Sequence, residues 1–210
     1  AERDHTRRLL PMVESVLAQA ESSLAEVDAL AVSQGPGSFT GLRIAISCVQ
    51  GLAFASDKPV VPVSSLAAMA AGAVRVHPDW RGKPVLAALD ARMKEVYWGL
   101  YSSERPGEAM LKDAVSSPEQ VVAMLEQGGY LPSSGDQCAF YAAGPGWDYP
   151  QLAALRPQGI WEDAAIHAQD IVALAADLWQ KGESVAAQDL EPAYLRNEVT
   201  WKKRERIRSR

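Results

Sequence analysis

The stretch Gly35-Pro36-Gly37-Ser38-Phe39-Thr40-Gly41-Leu42-Arg43 joins a short apolar run, Ala29 to Ser33, to a long apolar segment. Glycines at 35, 37 and 41 predict a tight turn from strand to helix, because glycine accepts positive φ and lets a ligand or a second backbone come close. The free amides that open the helix favour an anion, and Ser38 or Thr40 is placed to cap it. No lysine follows the last glycine, and the spacing fits neither a P-loop nor a dinucleotide fingerprint. Read alone, the turn serves equally well as a plain connector.

Upstream, Asp4 to about Gln19 reads as a helix with Leu9, Leu10, Met12, Val13, Val16 and Leu17 on an arc of roughly 160°. Pro11 places the regular start of that helix close to itself, since proline is tolerated in a first turn. Ser23-Leu24-Ala25-Glu26 has capping-box spacing. Downstream, Thr40 to Ser56 reads as a helix whose apolar residues cover roughly 200°, more than one sheet can bury. Its polar strip is Arg43, Ser47 and Gln50. Pro59 to Val63 then reads as a strand and Ser64 or Ser65 caps a small-residue helix through Ala73, which gives a parallel, right-handed βαβ unit.

Arg75 to Lys83 reads as a linker. Beyond it, Val85 to Leu89 and Val96 to Tyr101 form an antiparallel hairpin across Asp90-Ala91-Arg92-Met93-Lys94. There Asp90 and Arg92 are placed either to grip a polar ligand or to pair with each other. Pro118 to Gln127 and His167 to Lys181 read as helices, and Cys138 to Ala143 as a strand entering Gly144-Pro145-Gly146. That second glycine turn suggests two related α/β lobes, divided here as 1–80 and 81–210.

The 210 residues carry a formal charge of −5, unevenly spread. Six of the 21 basic residues lie in the last nine positions, Lys202, Lys203, Arg204, Arg206, Arg208 and Arg210, with Glu205 the one acid among them. The acidic body is a poor nucleic-acid surface, and the tail reads as a solvated terminus rather than a phosphate contact. Cys48 and Cys138 are read as buried free thiols, which points to a reducing, cytoplasmic setting. No apolar stretch is read as reaching the roughly 18 residues of a membrane span. His5, His77 and His167 are isolated, so no built-in metal centre is expected. No nucleophile elbow accompanies a histidine, and Ser64-Ser65 reads as a cap.

The glycine stretch, His5 with Leu9-Leu10-Pro11, Pro62-Val63-Ser64-Ser65-Leu66, Asp90-Ala91-Arg92 with Glu95-Val96-Tyr97, and Pro192-Ala193-Tyr194-Leu195-Arg196 together resemble the TsaB (YeaZ) family over nearly the whole chain. The resemblance implies an actin-like (ASKHA) two-lobed α/β fold. It also implies a noncatalytic role in making threonylcarbamoyladenosine beside the tRNA anticodon, as binder and activator of a TsaD-type subunit. The same resemblance implies a TsaE-type ATPase in the complex, tRNA met only indirectly, and a homodimer when the chain is alone. The family docks through its first two helices, which places the interface on Leu10, Val13, Leu17, Ile46, Val49 and Ala53. Gly35, Gly37 and Ser38 would be a nucleotide-facing loop. No cofactor is expected on this subunit alone, with ATP or ADP a matter for the complex. Family members open with strands ahead of the first helix, and this sequence is read as lacking them. Two further functions stay open: an autonomous actin-like ATPase or kinase, and an M22-type glycoprotease.

Overall fold

The computed structural model describes residues 5–132 and 136–196; the basic tail at 202–210 lies outside them. Five layers alternate helix and sheet. Helix α2 (Phe39–Ser56) covers the outer face of a two-stranded parallel sheet made of β1 (Leu30–Gly35) and β2 (Val60–Ser64). The middle layer holds α3 (Ser65–Val76) and α6 (Ala168–Gln180). Next comes a five-stranded sheet of β3 (Val85–Asp90), β4 (Val96–Tyr101), β5 (Ala109–Ser116), β6 (Tyr141–Ala143) and β7 (Ile160–Trp161), in the order β5-β4-β3-β6-β7. Helices α4 (Pro118–Gln127) and α5 (Pro150–Ala153) close its far side.

The strand period of two explains the layering. In β3, Val85 and Ala87 face the middle helices while Leu86 and Ala88 face the α4 side, and all four are buried. Strand β3 is the central strand, paired antiparallel with β4 and parallel with β6, so the sheet is mixed. Helix α3 is apolar nearly all round, the composition of a helix enclosed on every side. Its small residues Ala67, Ala68, Ala70 and Ala73 let it fit between two sheets.

Several sequence expectations shift. Helix α1 (His5–Gln19) contains Pro11 in its interior instead of starting close to it, so the helix continues on both sides of a residue that has no amide to donate to the preceding turn. The expected linker is mostly structured: α3 extends to Val76, and a 3₁₀ turn at Pro78–Trp80 buries Trp80 in a stack with Tyr141, ring centroids 4.4 Å apart. Strand β5 has no counterpart among the sequence expectations, since Met110-Leu111 sets two apolar and Lys112-Asp113 two polar residues side by side and breaks the period of two. Cys138 sits on irregular backbone ahead of β6, buried, whereas Cys48 is half-buried; neither forms a disulfide.

By length and composition alone, helix α2 is long and apolar enough to cross a bilayer, its 18 residues averaging a hydropathy of 1.3, a stretch that the sequence expectation passes over. Its abundant Ile, Leu, Val, Phe and Ala outweigh the polar strip in such an average. Here Ile46 and Ala53 seat it on β1 and β2.

Candidate functional site

Three arrangements bear on function: the glycine turn, the outer face of α1 and α2, and a cleft between the sheets.

At the turn, Gly35 has φ of 113°, outside the range that suits a side chain. A Cβ there would lie 3.0 Å from Leu42 Cδ1 and 3.5 Å from the Ala193 carbonyl oxygen. The close approach that glycine permits is thus taken by the chain's own C-terminal stretch, whose Ala193 amide donates to the Gln34 carbonyl at 2.8 Å. Ser38 caps α2, accepting from the Gly41 amide at 3.3 Å, as one of the two expected caps. Gly35, Gly37 and Ser38 do not line the cleft described below.

Helices α1 and α2 pack side by side at one end of the molecule. On α1, Leu9, Val13 and Leu17 form the half-buried stripe, while Leu10, Met12 and Val16 are exposed, Val16 by 63%. On α2, Phe39 and Phe54 stand out, Phe54 by 81%, and Val49 is half-buried. Two residues expected on the outward side turn inward: Ile46 is 3% exposed and Ala53 1%, both packed with Val32, Val60 and Leu190. A 3.6-residue period lets only one edge of so wide an apolar arc reach the sheet, and these two occupy that edge.

Beside Phe39, Arg43 lays its guanidinium 3.9 Å from the ring centroid and donates from Nε and Nη2 to the Tyr194 hydroxyl at 3.2 and 3.0 Å. Gln50 donates to the Leu190 carbonyl at 3.0 Å.

The cleft, of about 1230 Å³, opens between β2, β5 and α6, with Gln34, Ser64, Arg105, Lys112, Asp113 and Asp177 among its walls. At its base Ser64 Oγ accepts from the Leu66 and Ala67 amides at 3.1 and 3.2 Å and donates to Asp113 Oδ2 at 2.6 Å. The Tyr101 hydroxyl donates to the other carboxylate oxygen. Burial raises the Asp113 carboxyl above the ordinary value, against the lowering pull of the Ser64 and Tyr101 hydroxyls. Burial, then the neighbouring charge of Asp113, raises Tyr101. Sequence reasoning misses this group because it misses β5. The available signal is Gly99 in mid-strand, where a Cβ would meet Asp113 Oδ1 at 2.7 Å.

At the β3–β4 turn Asp90 and Arg92 pair at 3.2 Å, the internal bridge rather than a free ligand grip. Among the described residues, no three His, Cys, Asp or Glu side chains gather to hold a metal.

Comparison with known proteins places this architecture. The sequence model described as TsaD, tRNA N6-adenosine threonylcarbamoyltransferase, matches residues 1–199. The tRNA threonylcarbamoyladenosine biosynthesis protein TsaB of Escherichia coli strain K12 is 40% identical over 209 residues, covering 96% of this chain and 84% of that protein. The Haemophilus influenzae protein of the same description is 39% identical, covering 97% and 84%. A crystal structure from Pseudomonas aeruginosa, described as similar to the peptidase YeaZ, superposes with a TM-score of 0.79 at 43% identity, covering 92% of this chain and 85% of that one. With the mixed α/β layers and the sequence agreeing along nearly its full length, the chain belongs to the TsaB (YeaZ) family of threonylcarbamoyladenosine biosynthesis proteins.

Proposed function

We propose that this chain is a noncatalytic subunit that binds and activates a TsaD-type threonylcarbamoyltransferase, its docking face formed by α1 and α2. The observation that carries the reading is the exposed apolar surface of Leu10, Met12, Val16 and Phe54 on these two adjacent helices. Burying such side chains against a partner is worth on the order of 1.5–3 kcal/mol each when complete. Leu10, Val13, Leu17 and Val49 stay in the proposed face, and Ile46 and Ala53 support it from beneath. In the absence of TsaD, a second copy covers the same surface. A TsaE-type ATPase joins through the complex, nucleotide is bound there and not by this chain alone, and tRNA contacts are left to the partner. Residues 1–80 and 81–210 serve as the two actin-like lobes, with 168–194 returning to the first.

Capture on immobilised TsaD tests this. Val16→Glu and Phe54→Glu, both at exposed sites, are expected to cut retention by at least about tenfold, a loss of roughly 1.4 kcal/mol. Met110→Glu, exposed on β5 away from α1 and α2, is expected to bind normally. Unchanged retention of both helix variants would refute the face.

An autonomous actin-like ATPase is the second reading, favoured by the open, charged cleft between the sheets. Calorimetry with ATP and magnesium on the free chain separates the two, since binding with turnover and no partner would favour the ATPase. No observation favours the glycoprotease.

A further inference from the structure

Residues 190–196 touch both ends of a path that no single helix or strand spans. On the first sheet, Leu190 is buried in the layer beneath α2, its carbonyl held by Gln50, and the Ala193 amide bonds to Gln34. Tyr194 lies on the outer side of α2, its hydroxyl gripped by Arg43 and its ring 6.4 Å from Phe39. Two residues later, Arg196 reaches the other sheet. Its Nη2 donates to the Ala91 carbonyl at 3.1 Å and pairs with Glu95, at opposite ends of the β3–β4 turn.

That turn is unusual in its own right. Arg92, Met93 and Lys94 have φ of 62°, 56° and 63°, three consecutive non-glycine residues in the left-handed region. Such backbone persists only where its surroundings over-determine it. The restraints can be named. Asp90 accepts from the Arg92 amide at 2.9 Å, Tyr149 donates to Asp90 at 3.1 Å, and Arg196 bridges the two sides of the loop. Of these, Arg196 alone comes from the stretch that is also fastened to α2.

We propose that residues 190–196 form a tie through which α2 governs the β3–β4 turn: Tyr194 and Arg43 fix the tie at the helix, and Arg196 holds the left-handed turn at its other end. The turn's shape is therefore set from the outer face of α2, and any change in how Arg43 and Tyr194 are engaged reaches Arg92 to Lys94. The inference does not depend on which protein covers that face.

Amide hydrogen exchange of the full chain tests it, read separately for residues 91–95 and for α3. Arg196→Gln is expected to speed exchange at 91–95 by about tenfold or more while leaving α3 unchanged, as local opening does. Tyr194→Ala and Arg43→Ala, at exposed positions without a contact to the turn, are expected to speed the same amides several-fold. Tyr194→Phe, which keeps the ring and loses the hydroxyl, is expected to fall between wild type and Tyr194→Ala. The proposal is overturned if Arg196→Gln leaves 91–95 at the wild-type rate, or if both Tyr194→Ala and Arg43→Ala do so, which would make the two ends of the stretch independent anchors.

Discussion

Asp113 is a half-buried carboxyl whose two oxygens accept hydrogen bonds from the Ser64 and Tyr101 hydroxyls, and its environment favours the neutral form. An acid whose folded value is raised stabilises the fold fully below its unfolded value, 3.8 for Asp, and that contribution is lost as pH rises through the folded value. Wild type should therefore lose stability relative to Asp113→Asn as pH climbs from about 4, by roughly 1.4 kcal/mol for each pH unit that separates the folded from the unfolded value. Denaturant titrations of the two proteins between pH 4 and 7 check this; parallel stability curves would mean that Asp113 titrates as if exposed. A second residue-level test concerns Arg75 and Asp170, paired at 2.7 Å with side chains 40% and 4% exposed. Removing the exposed cation strands the buried anion, so Arg75→Met should destabilise the protein more than Asp170→Asn does. Thermal unfolding gives the order directly.

Helix α1 shows what an element inherits from its sequence and what it does not. Pro11 is the seventh residue of a 15-residue helix and is exposed, so it removes a backbone bond without contributing to packing. Pro11→Ala is expected to stabilise the protein by up to about 3 kcal/mol and to slow amide exchange in the preceding turn. A neutral result would indicate that residues before Pro11 contribute little helix. The periods of 3.6 and 2 make most elements legible, including the βαβ unit, the hairpin and the helix at Pro118–Gln127, whose Ser117 cap and Gln120 complete a capping box. They fail at β5 because its burial pattern has no alternation to read, and the cleft group is lost with it. They also give the width of the apolar arc on α2 but not its rotation, so that Ile46 and Ala53 cannot be told from their outward neighbours. The glycine turn is legible as a turn, whereas its neighbour, Ala193, lies more than 150 positions away in sequence and leaves no local trace.

At the scale of the molecule, the apolar face of α1 and α2 makes self-association the expected state of the isolated chain. Light scattering should show a dimer for wild type and a monomer for the Val16→Glu, Phe54→Glu double variant; a monomeric wild type at high concentration would remove the second copy from the account. The placement of α3 between the sheets carries a different consequence. Its alanines touch strands on one flank and on the other, so each half of the polypeptide supplies only one wall of a shared room. Expressing either half by itself would leave that room open to water, and the two pieces should become soluble only when produced together.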